Sequence, residues 1–241
     1  MLSILKKELW SYFGNYATYA ILFAFALVCA LFLWFFDNDY NVFNSEVARL
    51  DSFFFVAPWI LLFLVPAITM RQFSEERQNG TLDWLMTQPI SLEKIILGKF
   101  LSVMILLLIM LVLTLFSVVA VSHFSLSGTD TGVVFTAYLG LYLLATLFAA
   151  VGLMSSTFFT QQVAAYIVAV FCNFVLFFGF QGIASYNLLG SLDYTLQQWG
   201  ASFHYDGFLK GLIDTRDLAY FLGLIPVFLL ISYASLLKNK K

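Results

Sequence analysis

The chain has 241 residues, of which 61% are hydrophobic and only 11% are charged, and its net charge is −2. Soluble domains carry about a quarter charged residues, so this composition and a mean hydropathy of +0.90 indicate a polytopic membrane protein. The slightly acidic balance and the lack of a basic tract do not favour nucleic-acid binding. Cys29 and Cys172 lie in apolar runs, where cysteine behaves as a small hydrophobe, so neither a disulfide nor a metal site is predicted.

The first 16 residues are predicted to form an amphipathic helix. Apolar side chains recur every three or four residues, at Leu2, Leu5, Leu9, Phe13 and Tyr16. The other side of the predicted helix holds polar residues: Lys6, Lys7, Glu8, Ser11 and Asn15. A basic, aromatic helix of this kind lies in the membrane interface before the chain turns inward. The alternative is a frayed lead-in to the first membrane span.

Six apolar segments are long enough to cross a bilayer, because about twenty helical residues span a hydrocarbon core of about 30 Å. They lie near 17–36, 53–70, 101–123, 133–154, 163–183 and 218–236. By this assignment no Asp, Glu, Lys or Arg lies inside a span. Proton- and ion-coupled carriers generally need an ionisable group there, so the pattern disfavours a secondary transporter. The first segment is longer than a signal-peptide core, and we expect it to be retained as a span.

The distribution of Lys and Arg predicts that both termini and the loop at 71–100 face the cytoplasm, where positive charge is enriched. Nine basic residues fall on one side of the predicted membrane: Lys6, Lys7, Arg71, Arg77, Lys94, Lys99, Lys238, Lys240 and Lys241. Three fall on the other side: Arg49, Lys210 and Arg216.

The last loop on the side opposite the termini, 184–217, mixes aromatic residues with glycine and aspartate. Aromatic residues at this depth ordinarily form an interfacial belt. A re-entrant pair of short helices is the other interpretation, and the residues leave both open.

Two amides, Asn173 and Gln181, lie in the fifth predicted span. They are eight residues apart, roughly two helical turns, and are therefore predicted to share a face. Buried amides in lipid usually hydrogen-bond to neighbouring helices, and we expect that structural role here. The alternative is that they line a translocation path.

The interval 71–100 lies between two long apolar runs and contains eight charged residues: Arg71, Glu75, Glu76, Arg77, Asp83, Glu93, Lys94 and Lys99. A basic or acidic residue at mid-bilayer costs roughly 2.5–3.5 kcal/mol on insertion scales. The whole interval is therefore predicted to lie in water.

Within this interval the sequence predicts two helices. Arg71 to Asn79 continues the second span as a polar helix, which Gly80 can end in the left-handed conformation. Thr81 is the predicted N-cap of a short second helix, with Asp83 in its first turn facing the positive helix end. Pro89 is predicted to stop that helix at the preceding residue.

The short helix has an apolar face made by Leu82, Leu85 and Met86, with Trp84 beside it. This face needs a surface to pack on. That surface is either the bilayer interface or the protein's own helix ends, or it is a groove on a soluble partner. The residues alone leave these alternatives open.

Motifs for chemistry are missing from the sequence. There is no GxxxxGK[ST] phosphate loop, since Gly98-Lys99 lacks the upstream glycine and the following hydroxyl. No paired ionisable or nucleophile–base set lies within the spans, which disfavours an intramembrane enzyme. The chain is predicted to be neither an ATPase nor the holder of a cofactor of its own.

The run FSEERQNGTLDWLMTQPISLEKIILGK resembles the first cytoplasmic loop of ABC-2 type transporter permeases. In that family an E-x-x-x-G-T-[LM]-[ED]-x-L-x-x-x-P-[IV] pattern forms the coupling helix that meets the ATPase subunit. The matching residues are Glu76, Gly80, Thr81, Leu82, Asp83, Leu85, Pro89 and Ile90. Asp83 stands where Glu is common and keeps the charge. The resemblance extends over the whole chain, which is similar to the permease subunits associated with bacterial gliding motility.

This resemblance implies an all-α, type V exporter-like transmembrane domain over residues 1–241, with an N-terminal elbow helix and six spans. It implies a location in the bacterial inner membrane and an exporter. Two ATPase subunits that bind ATP and Mg²⁺ are the expected partners, with a second membrane subunit that makes a homodimer or a heteromer. The residues implied in ATPase coupling are Glu76, Gly80, Thr81, Leu82, Asp83, Trp84, Leu85, Met86 and Pro89. The alternative is a non-transporting membrane anchor or mechanotransmitter that acts through 184–217.

Overall fold

The computed structural model describes residues 1–36, 51–124, 130–186, 190 and 192–239. Within these ranges the protein is helical throughout and has no strand. Three residues of the Lys and Arg count, Arg49, Lys240 and Lys241, lie outside the described residues.

Twelve α-helices follow one another in the described ranges. They are α1 (Leu2–Phe13), α2 (Tyr16–Ala30), α3 (Asp51–Thr69), α4 (Arg71–Gln78), α5 (Thr81–Thr87), α6 (Leu92–Phe124), α7 (Thr131–Phe158), α8 (Gln162–Phe174), α9 (Phe180–Ala184), α10 (Leu192–Gln197), α11 (Ala201–Leu209) and α12 (Thr215–Asn239). Two π-helical segments add to these: Leu31–Phe35 extends α2, and Val175–Gly179 joins α8 to α9.

Six helical stretches of the described chain are long and apolar enough to cross a membrane. They are Tyr16–Phe35, Ser52–Gln78, Leu92–Ala120, Thr131–Phe158, Gln162–Ala184 and Thr215–Lys238. Each overlaps one predicted span, and the protein is a multi-pass membrane protein of the predicted all-helical class. The second and third stretches extend into the 71–100 loop, because polar turns of helix continue both apolar segments there.

The central helix is α7, which packs against α3, α6, α8, α11 and α12. Small residues make this close packing possible, because they let helix backbones approach one another. At Gly152 an added Cβ would lie 2.0 Å from Thr69 Oγ1, and at Gly140 it would lie 2.6 Å from Phe208 Cβ. Phe208 belongs to α11 and is fully buried, so Gly140 fixes where α11 packs on the bundle.

Because the six spans alternate in direction, the described chain divides into two ends. One end is made by α1, α4, α5, the first turns of α6 and the last turn of α7, and we call it the charged end. The far end holds α10, α11 and the start of α12.

A methyl group at Gly140 tests the packing of α11 on α7. We expect Gly140→Ala to lower the free energy of unfolding by about 1–3 kcal/mol, because Phe208 Cβ cannot move without its backbone. Gly223→Ala is the matched control, since a Cβ there meets nothing within 4 Å. Thermal unfolding in detergent measures both, and equal melting temperatures for the two variants would contradict the close packing.

Candidate coupling site

Helices α4 and α5 meet at Gly80, as the sequence predicts. Gly80 has φ +68°, in the left-handed region where only glycine is free of strain. Its amide donates to the carbonyl of Arg77 at 3.2 Å, and the Asn79 amide donates to the carbonyl of Glu75 at 2.9 Å. These bonds close the last turn of α4, so the chain can turn sharply into α5.

The predicted N-cap at Thr81 is wrong by one residue. Gly80 holds the N-cap position, and Thr81 is the first residue of α5. Its hydroxyl donates backward to the carbonyl of Glu76 at 3.2 Å, which fastens α5 to α4. Asp83 lies in the first turn, as predicted, near the positive end of the helix.

The end of α5 confirms the predicted proline stop. The helix ends at Thr87, and Gln88 has an extended backbone with φ −65° and ψ 149°. This is the conformation that a following proline imposes, here through Pro89. Gly80 and Pro89 therefore hold a helix of seven residues as a separate element between two membrane helices.

The apolar face of α5 packs on the protein itself. Leu82 is 5% exposed and Leu85 is 9% exposed, and Met86 packs on the same core from a half-buried position. Of the alternatives that the sequence left open, packing on the protein's own helices is the one observed, because the chain's own core covers this face. The free side of α5 carries Trp84, which is 65% exposed, and three polar residues, Thr81, Asp83 and Thr87.

Lys99 was predicted to lie in water, but its side chain is only 2% exposed. Its Nζ donates to Glu76 Oε1 at 2.9 Å, to Glu8 Oε1 at 3.0 Å and to the backbone carbonyl of Gln72 at 2.7 Å. The ammonium also lies 5.0 Å from the ring centroid of Phe73. All three N–H donors have acceptors, which makes this buried charge tolerable.

The Lys99 cluster joins three elements: α1 through Glu8, α4 through Glu76, and α6. Sequence reasoning placed Glu8 on the outer, polar side of α1, but it faces inward. The inner face of α1 carries Ile4, Glu8 and Tyr12 at four-residue spacing. Ile4 packs where Gly98 leaves room, since a Cβ there would lie 3.0 Å from Ile4 Cγ2. Burial, aided by the Glu8 carboxylate, raises the pKa of the Tyr12 hydroxyl.

At the far end, the 184–217 segment contains two short helices, α10 and α11, as the re-entrant interpretation expected. That these helices re-enter the membrane stays a prediction. Helix α11 is anchored inside the bundle. The Tyr205 hydroxyl donates to the carbonyl of Phe54 at 2.8 Å, and burial raises the pKa of Tyr205.

A buried pair at the far end was missed by sequence reasoning. His204 Nδ1 lies 2.7 Å from Asp217 Oδ1, and its Nε2 lies 2.8 Å from the carbonyl oxygen of Gln198. The ring stacks on Tyr220 with centroids 4.0 Å apart. A carbonyl only accepts, so Nε2 is the donor in the contact with Gln198. The pair ties α11 to α12.

The two amides of the fifth span do not share a face. Asn173 is fully buried, and neither of its side-chain polar atoms has a hydrogen-bond partner among the described residues. Gln181 is exposed and lines a groove of about 1080 Å³ at the far end. The π-helical segment Val175–Gly179 lies between them and shifts the helical register, which explains the failed prediction.

Comparison with known protein families agrees with this architecture. The family of ABC-2 family transporter proteins matches residues 36–204, which is more than half of the chain. The chain therefore belongs to the ABC-2 transporter family and is a membrane permease subunit of that class. Permeases of this family generally work with separate ATPase subunits. A search of curated proteins returned no match.

Removing the ammonium of Lys99 tests the cluster. Lys99→Met leaves the carboxylates of Glu8 and Glu76 close together with only the exposed Lys7 ammonium near Glu76, and we expect a loss of about 3 kcal/mol in unfolding free energy. Lys94→Met is the matched control, because Lys94 is exposed on the same helix. Thermal unfolding in detergent measures both. If the two variants melt at the same temperature, the cluster does not hold the charged end together.

Proposed function

We propose that this permease is an exporter subunit linked to gliding motility, similar to the subunits called Gld F, and that the 71–100 loop receives the motion of an ABC ATPase. The observation that carries the proposal is the construction of α5. Gly80 and Pro89 define the two ends of this helix. Its apolar face is buried in the protein, and its opposite side exposes Trp84 at the charged end. A rigid, exposed aromatic residue is the kind of group that dominates protein–protein contacts.

The ATPase contact is proposed for the free side of α5. Trp84 is its aromatic anchor, and Asp83 beside it supplies the charge. Leu82, Leu85 and Met86 support this surface from below. Glu76 is not part of the contact surface but positions it. Its carboxylate accepts a hydrogen bond from Lys99, and its backbone carbonyl accepts one from Thr81.

Movement of α5 is proposed to reach the membrane along continuous elements. Helix α4 follows directly on α3, and only four residues separate the end of α5 from the start of α6. The Lys99 cluster adds α1 to this unit. Arg77 Nη1 donates to the carbonyl of Phe158 at 3.3 Å, which links α4 to the end of the central helix. ATP-driven closure of the ATPases would thus move spans two and three together with α1.

The proposed assembly has two ATPase subunits, which bind ATP and Mg²⁺, and a second membrane subunit of the same or another kind. In four spans of the described chain, fewer than half of the residues in the apolar stretch are buried. The buried share of residues is 28% for Tyr16–Phe35, 35% for Leu92–Ala120 and 22% for both Gln162–Ala184 and Thr215–Lys238, against 61% for Thr131–Phe158. These outer helices offer surface to lipid and to a second membrane unit.

We place the protein in the bacterial inner membrane with both termini and the charged end in the cytoplasm. The charge count supports this orientation. The same orientation puts α5 where a soluble ATPase has access, and it puts α10 and α11 outside the cell membrane.

One observation favours the alternative function, a mechanotransmitter that moves no substrate. Helix α7 contacts both α4 at the charged end and α11 at the far end, so it connects the two ends directly. In that function ATP-driven motion acts on an external partner through α10 and α11. Substrate movement into reconstituted vesicles separates the two functions.

Substituting two residues on the free side of α5 tests the ATPase contact. Asp83→Arg combined with Trp84→Ala is expected to reduce co-purification of the ATPase at least tenfold, about 1.4 kcal/mol, because an aromatic anchor and a charge are lost. The permease itself should melt as the wild type does, since both side chains are exposed.

Two further variants make that result specific. Tyr194→Ala removes an aromatic residue of similar exposure, 61%, at the far end and should leave ATPase binding unchanged. Leu82→Asp should lower the melting temperature, because it buries a charge. Undiminished ATPase recovery with the Asp83→Arg, Trp84→Ala variant would contradict the proposed contact.

A further inference from the structure

Two prolines in α3 free backbone carbonyls inside the second span. A proline has no N–H to donate to the carbonyl four residues earlier. Pro58 thus leaves the carbonyl of Phe54 without its helical donor, and the Tyr205 hydroxyl of α11 replaces that donor at 2.8 Å. Pro66 does the same to the carbonyl of Leu62. Because membrane helices tolerate prolines where a neighbouring helix supplies the donor, we expect Leu62 to need one as well.

The fifth span contains a buried amide with unused donors. Asn173 is fully buried, and within the described ranges neither its Nδ2 nor its Oδ1 has a hydrogen-bond partner. It belongs to the buried stripe of α8 that also contains Ala165 and Ala169, so its side chain lies inside the bundle. Buried polar atoms are normally paired. The two N–H donors of this amide are therefore left unused in this conformation.

The amide and the freed carbonyl lie at the same depth of neighbouring helices. Helix α3 packs against α8, and the two spans run in opposite directions. Trp59 stacks on Phe178 with ring centroids 4.1 Å apart, which fixes the register of the two spans. From this contact towards the charged end, Leu62 lies three residues along α3 and Asn173 lies five residues along the fifth span. At 1.5 Å per residue, the two positions differ by roughly 3 Å along the helix axes.

We propose that Asn173 donates to the carbonyl of Leu62 in a second conformation of the permease, and that this hydrogen bond between spans five and two stabilises that conformation. The proposal rests on the proposed function, in which ATP-driven motion of α5 reaches span two through α4. Span five holds no part of the coupling site, so this motion displaces α3 relative to α8. The displacement brings the unused donor to the carbonyl that lacks one.

The backbone beside Asn173 suits such a displacement. The π-helical segment Val175–Gly179 begins two residues after the amide and contains the residue that stacks on Trp59. Single π-helical turns inside α-helices are often found at functional sites. A change between π and α bonding in this segment turns α8, and the amide with it, relative to α9.

The melting temperature of the purified permease tests whether the amide is unpaired in this conformation. Asn173→Leu and Asn173→Val remove two polar atoms that are buried without partners, and we expect at least one of these variants to be as stable as the wild type or more stable. Tyr205→Phe is the matched control, because it removes a donor that is paired with a proline-freed carbonyl, and it should melt at a lower temperature. Lower melting temperatures for both Asn173 variants would overturn the proposal.

Pulsed electron paramagnetic resonance on the permease–ATPase complex tests for the second conformation. Spin labels are placed at Phe63→Cys in α3 and Val163→Cys in α8, both at exposed positions, after Cys29 and Cys172 are replaced by alanine. We expect ATP binding to add a second distance population. Asn173→Leu should reduce that population about fivefold, the effect of one buried hydrogen bond.

Pro66→Ala identifies the acceptor. It gives the carbonyl of Leu62 a helical donor, so it should reduce the second population as Asn173→Leu does, and the double variant should show no further loss. Gln181→Leu is the control and should leave the population unchanged, since that amide is exposed in the same span. Losses that multiply in the double variant, or an undiminished population in Asn173→Leu, would overturn the proposal.

Co-purification of the ATPase separates this proposal from the proposed function. If the complex forms but ATP leaves the distance between Phe63 and Val163 unchanged, the pairing of Asn173 is overturned and the proposed function stands. If no ATPase is recovered with the wild-type permease, the proposed function fails, and the ATP-driven pairing fails with it.

Discussion

The buried ammonium of Lys99 is the interaction on which the charged end of this permease depends. A lysine with 2% exposure is unfavourable unless every donor is satisfied, and here two carboxylates and a carbonyl satisfy all three. Those acceptors come from Glu8 in α1 and from Gln72 and Glu76 in α4, while the lysine belongs to α6. The electrostatic requirement of one residue therefore fixes the positions of three helices.

In the proposed coupling, this constraint would allow a small helix to act on a large bundle. Helix α5 contributes only Leu82 and Leu85 to the buried core, yet Thr81 bonds it to α4, and four residues connect it to α6. Since α4 and α6 are joined through Lys99, a force that a partner applies to Trp84 would act on spans two and three and on α1 together. The central helix α7 contacts α4 and α11, which extends the same connection to the far end.

The sequence predicted what depends on local composition and backbone chemistry. Six apolar segments, the left-handed turn at Gly80 and the stop before Pro89 follow from a few neighbouring residues each. It could not predict contacts between residues far apart in the chain: the burial of Lys99, 91 residues from Glu8, or the pairing of His204 with Asp217 across a loop. A helical-wheel prediction assumes a constant number of residues per turn. It therefore could not take account of the π-helical segment in span five, which places Asn173 and Gln181 on different faces.

The central claim is that α1 and α4 move as one body when the ATPase moves α5. It is tested most directly by pulsed electron paramagnetic resonance with spin labels at Ser3 and Gln78, which are exposed on α1 and α4. Cys29 and Cys172 are first replaced by alanine, and the permease is measured in complex with its ATPase. The account predicts the same distance distribution with and without ATP. A distribution that shifts or broadens when ATP binds would contradict it.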